Sequence, residues 1–118
     1  KSMTFNGISR VFSTENDDQY NTIGAFWDEM AYKYGRSNLR GLGYHWTLTT
    51  IEYVIGQKEG DIPESDCCVE LPDEGWTAVK GRTQDLSKIY EEIYKEGSLT
   101  YEIEMFSDDG SFEIWYLR

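Results

Sequence analysis

Apolar side chains recur along this chain in two rhythms, alternating and helical, separated by polar or glycine-bearing stretches. Residues 3–12 (MTFNGISRVF) read as a strand, with Gly7 a bulge or turn within it. The polar cluster 13–17 (STEND) suits a helix cap. From Gln19 to Tyr34 the apolar positions Tyr20, Ile23, Trp27, Met30, Ala31 and Tyr34 are spaced 3, 4, 3, 1 and 3, which is one face of a helix. Gly35 stands where such a helix closes. Residues 36–43 (RSNLRGLG), with two glycines, read as a loop, and 44–56 (YHWTLTTIEYVIG) are β-branched and aromatic strand material. A polar connection with Gly60 and Pro63 follows.

The second half repeats the theme. Residues 67–71 and 76–82 read as strands around a turn at 72–75. Thr83 or Asp85 could cap a helix over 85–96, whose face is Leu86, Ile89, Tyr90 and Ile93, and Gly97 closes it. Tyr101, Ile103 and Met105 then alternate with Glu102 and Glu104, which predicts a strand with the two acids on a solvated face. SDDG (107–110) is a hairpin turn before the last strand, 111–118. Strand–helix–strand–strand therefore occurs twice, with a weak echo between WDEM (27–30) and YEEI (90–93). The expectation is an α+β fold forming one domain over 1–118, with module one about 1–60 and module two about 67–118. The two modules would share one antiparallel sheet with both helices on one face and an apolar cleft between them, the kind of place where ligands bind.

Charge narrows the partners. The 118 residues carry 22 acids against 11 Lys and Arg, a formal net charge of −11. Such a surface repels phosphate and argues against direct nucleic-acid binding by this chain; a cationic partner fits better. No run approaches the length of a membrane span, and no basic-then-apolar leader is visible, so no membrane partner and a cytoplasmic location are expected. The adjacent Cys67 and Cys68 lack metal-ligand spacing and read as reduced thiols. A single histidine, His45, disfavours a histidine-based triad and most zinc sites, so neither metal nor cofactor is expected.

Most acids, including Asp28, Glu29, Glu91, Glu92, Glu102 and Glu104, fall on faces expected to be solvated. Glu113 differs, because FEIWYL (112–117) is apolar on both faces, with Trp115 and Leu117 beside the acid. An unpaired carboxylate in apolar surroundings costs several kcal/mol or takes up a proton, so Glu113 is the leading candidate for a functional acid. Glu52 ranks second, and its neighbour Tyr53 could project into the cleft. An acid among Trp27, Trp46, Tyr53, Tyr90 and Trp115 would suit a desolvated organic cation, since ring faces attract positive charge.

The chain resembles the GyrI-like family of small-molecule-binding domains, also found as effector-binding domains of AraC- and MerR-type bacterial transcription regulators. The resemblance rests on NGISRVF, IGAFWDEM and IEYVIG in the first half, and on LPDEGWTAVKG, IYEEIY and FEIWYLR in the second. It implies two pseudo-symmetric modules and an aromatic pocket with a last-strand glutamate, matched here by Glu113, and a strand aromatic matched by Tyr53. The last strand runs to Arg118 without the proline the family often has there. The resemblance further implies a lipophilic, cationic, aromatic small-molecule ligand, sensed on behalf of a fused or separate DNA-binding domain or by a standalone multidrug-binding protein. Two alternatives come with it. One is a hydrolase of cyclopropane-containing alkylating compounds, in which Glu113 would be catalytic. The other is a gyrase-inhibiting, protein-binding module.

Overall fold

The computed structural model describes residues 2–118. Seven strands and two helices follow in the order β1 (Ser2–Ser13), α1 (Gln19–Tyr34), β2 (Leu39–Tyr44), β3 (Thr50–Gln57), β4 (Cys67–Pro72), β5 (Thr77–Arg82), α2 (Leu86–Lys95), β6 (Tyr101–Phe106) and β7 (Ser111–Leu117). They form one antiparallel sheet in the order β4-β1-β3-β2-β6-β7-β5. The α+β class, the antiparallel sheet and the helices on one face are as the sequence led us to expect. Phe26, Trp27 and Met30 of α1 and Ile93 of α2 share a core with Tyr53 and Ile55 of β3 and Phe112 and Ile114 of β7, so both helices cover the same side.

The internal symmetry is legible in the strand order. β1-β3-β2 from the first half meets β6-β7-β5 from the second, with β2 and β6 side by side at the seam. β4 lies outside this repeat. Expected to open the second half, it instead extends the first half's edge, pairing with β1 from Gly7↔Cys67 to Ser2↔Pro72. There the strands cover a second core on the other side of the sheet, made by Phe5, Leu42, Tyr44, Val54, Leu71 and Ile103. β1 reaches that position by passing very close to β3. A Cβ on Gly56 would stand 1.9 Å from the Asn6 carbonyl oxygen, and one on Gly7 2.3 Å from that of Ile55, so glycine is required at both.

Four local expectations are corrected. Residues 36–43 are not a loop, because 39–44 form β2; the run expected as one strand over 44–56 breaks at His45 (φ 52°) and resumes at Thr50. The polar cluster before α1 forms a single turn over Glu15–Asp17, with Asn16 and Asp17 left-handed, and Asp18 at the helix start makes no side-chain capping bond. Asp85 at the start of α2 makes none either. Helix endings follow the reading: Gly35 (φ 85°) closes α1, its N–H bonding the Ala31 carbonyl, and Gly97 (φ 125°) follows α2. Cys67 and Cys68 are free thiols, half-buried and exposed respectively.

Candidate functional site

A cavity of about 630 Å³ lies between the two helices and the helix-facing side of the central strands. α1 brings Gln19, Ile23, Gly24 and Trp27 to it, one stripe at helical spacing. α2 contributes Tyr90 and Tyr94, one turn apart with rings stacked 5.8 Å centroid to centroid. Trp46 comes from the β2–β3 connection, which Thr47 ties down through its N–H and hydroxyl to Thr50 (2.8 and 2.7 Å). Tyr53 rises from β3 and Phe106 from β6, the latter edge-on to Trp27 at 5.0 Å.

The floor is acidic. Glu102 and Glu104 of β6 point to the helix side and are buried, at 6% and 8% exposure. Glu104 is fully engaged, since the Tyr53 hydroxyl donates to one carboxylate oxygen and the Tyr90 hydroxyl to the other. Trp27 Nε1 in turn donates to the Tyr53 hydroxyl at 2.8 Å, fixing that phenol from behind. Among the described residues Glu102 has one donor, the Tyr94 hydroxyl, 2.6 Å from Oε2. Burial raises Glu102 to about 8, with the nearby Glu104 charge adding to the rise and the Tyr94 bond opposing it. Burial raises Glu104 as well, against the bonds from Tyr53 and Tyr90 and the attraction of Arg36. Tyr53, Tyr90 and Tyr94 are all pushed above the ordinary phenol value, first by burial, so each remains a donor at neutral pH. Arg36 stands 5.7 Å from the Trp27 ring and 5.9 Å from that of Phe106, and is bonded to Asp28 at 2.6 Å. The protein thus supplies a cation near Glu104, whereas no cation among the described residues lowers Glu102.

Room for these acids is made by the strand beside them. Gly41 of β2 pairs with Glu104 and Gly43 with Glu102. A Cβ on Gly41 would stand 2.2 Å from the Tyr53 hydroxyl, and one on Gly43 3.1 Å from Glu102 Oε1. Two glycines in a central strand, which normally weaken it, are what admits a phenol and a carboxylate here.

Of the residues singled out from sequence, Trp27, Trp46, Tyr53 and Tyr90 line the cavity together. Glu113 and Trp115 do not. Phe112 and Ile114 take the helix-facing positions of β7, leaving Glu113 on the far side, half-buried, where its Oε2 accepts from Trp115 Nε1 at 2.7 Å. The apolar look of both faces of FEIWYL has a plain cause: each face of the sheet carries a core, and Trp115 is partly exposed on the second. Glu52 is also on that far side, bonded to the Tyr44 hydroxyl and to His45 at 2.7 and 3.2 Å. Glu102 and Glu104, expected on a solvated face, are the buried acids. Alternation revealed their strand but not which side carried the helices. The signal that could have found them is the pair Gly41 and Gly43, whose missing side chains leave a hollow that only a neighbouring strand's long side chains fill.

No family model matches the chain, and a search of curated proteins finds no match. Among solved structures, that of SAV2435 bound to tetraphenylphosphonium is similar at a TM-score of 0.67 and 17% identity, covering 98% of this chain and 87% of that one. The likeness establishes that the two share a fold.

Proposed function

We propose that this chain is a GyrI-like binding module for lipophilic organic cations. The observation that carries the reading is the buried acid pair Glu102 and Glu104 at the floor of an aromatic-walled cavity of about 630 Å³. Aromatic faces supply area and attraction for a delocalised cation, and a bound cation would hold ionised the Glu102 carboxyl, which no cationic side chain among the described residues balances. The net charge of −11 favours approach of cations and disfavours nucleic acid. The tetraphenylphosphonium held by a protein of the same fold is of this chemical class. In a longer regulator such a module would report the ligand to a DNA-binding domain.

Calorimetric titration of the protein with tetraphenylphosphonium and with arylalkylammonium ions tests the reading. Glu102→Gln keeps the shape and removes the charge, and should weaken these cations by about tenfold, or about 1.4 kcal/mol. Neutral aromatics of similar size should bind parent and variant alike. Cation affinity equal in parent and variant refutes the role of Glu102, and absence of all cation binding refutes the module.

One observation favours a second reading. A carboxyl raised to about 8 holds an exchangeable proton at neutral pH beside the Tyr94 hydroxyl, which suits a general acid or base acting on a small molecule in the cavity. Turnover of strained cyclopropane-containing alkylating compounds, lost in Glu102→Gln with substrate binding retained, separates this hydrolase from a binder.

A further inference from the structure

One oxygen lining the cavity is a buried orphan, and a second, on the acidic floor, has room for a donor. Gln19 opens α1 and lines the cavity, and its side-chain Oε1 is buried with no hydrogen-bond partner among the described residues. On the floor, Tyr94 donates to Glu102 Oε2, while Oε1 receives no donor among the described residues. Glu104 differs, with a tyrosine hydroxyl on each oxygen. Gln19 belongs to the stripe Gln19, Ile23, Trp27 of α1 that faces the cavity, and its neighbour Tyr20 lies within electrostatic reach of Glu102. Both acceptors line the same cavity. The one cationic side chain among the described cavity-lining residues, Arg36, is bonded to Asp28.

Buried polar oxygens are almost always bonded, and an orphan in a cavity calls for a donor from outside. We infer that the ligand carries its positive charge on nitrogen that still bears hydrogens, as in a protonated arylalkylamine or an amidine, and donates N–H bonds to Glu102 Oε1 and Gln19 Oε1. This rests on the cation-binding reading above and specifies it. A fully substituted onium ion, tetraphenylphosphonium included, satisfies the charge and the ring faces but leaves both oxygens unbonded. A site with unpaired hydrogen-bonding groups discriminates strongly against a ligand that cannot pair them.

The test uses two cations of one skeleton, 2,2-diphenylethylammonium and its N,N,N-trimethyl derivative, titrated calorimetrically into the full chain at neutral pH. The protonated amine should bind about tenfold tighter than the trimethylated ion. Gln19→Met keeps the length and apolar bulk of the side chain without the acceptor. It should reduce that preference to about threefold or less, chiefly by weakening the protonated amine. Gln19→Glu, which keeps an acceptor, should retain the preference. Melting curves of both variants check that each is folded. Equal binding of the two cations overturns the inference while leaving the cation module standing, as does an undiminished preference in Gln19→Met. Failure of both cations to bind removes the module and the inference together.

Discussion

Gly24 is the residue whose identity packing does not explain. It lies inside α1 on the cavity wall, where a Cβ would meet nothing within 4 Å. Glycine in a helix interior costs about 1 kcal/mol relative to alanine, and no close approach requires it here; the empty space belongs to the cavity. Gly24→Ala should therefore stabilise the free protein by about 0.5–1 kcal/mol, a rise in Tm of roughly 4 °C. It should also weaken the bulkiest cations more than small ones. A melting scan with a size series of ammonium ions reads both effects, and a lowered Tm contradicts the account. At this scale the sequence was half legible. Trp27 and Tyr90 announced themselves by helical spacing and Tyr53 by its place in an apolar strand face. Glu113 misled because an acid between apolar neighbours looks buried whichever side of a sheet it takes. Glu102 and Glu104 were hidden by regular alternation, which ordinarily marks a solvated face.

Among the elements, the seam between β2 and β6 decides whether the site exists. Gly41 lies opposite Glu104 in register, and the Tyr53 hydroxyl occupies the space a Gly41 side chain would need. Gly41→Ala should displace that phenol, break its bond to Glu104, and destabilise the protein by about 1–3 kcal/mol. Urea denaturation measures the loss, and an unchanged midpoint would show that Tyr53 is free to move aside. The helices were readable almost to the residue, α1 running over the predicted Gln19–Tyr34 and α2 over Leu86–Lys95 inside the predicted 85–96. β2 was read as a loop because two glycines two residues apart signal a turn when only the local chain is considered; their reason lies on another strand. The partner of β4 was invisible for the same cause, since nothing in CCVELP specifies which edge it joins.

At the scale of the whole molecule, the acid pair sets a pH dependence of opposite sign to that of ordinary surface carboxylates. Glu102 is raised in the folded state, to about 8, by burial and by Glu104 on its own strand. The neutral tyrosines Tyr90 and Tyr94 of α2 and Tyr53 of β3 bond the pair, Tyr20 of α1 lies within electrostatic reach of Glu102, and Arg36 within reach of Glu104. Because the folded value exceeds the unfolded one, its contribution to stability is whole below about 4.5 and is lost as pH rises through about 8. Glu29, Glu52, Glu64 and Asp109 are lowered by their partners, chiefly Arg10, Tyr44, Tyr34 and Ser111, and stay ionised across the window. Melting temperature should fall by several degrees, on the order of a few kcal/mol, between pH 5 and pH 9. Glu102→Gln should flatten that slope. A Tm that is level or climbs over this range in the parent protein contradicts a buried, proton-holding Glu102.

The register at the seam bears on how such a molecule could have arisen. Two copies of the first half joined about the twofold would bring glycine against glycine there and leave an uncharged gap. Two copies of the second half would bring two Glu102 and two Glu104 side chains together, four carboxylates competing for one hollow with no space ceded to them. Neither symmetric assembly would set one pair of acids against one pair of glycines, as β6 and β2 do here. The site depends on the difference between the two halves. With side chains given up on one and acids carried by the other, the halves are not interchangeable, and a single polypeptide keeps the unlike pair together.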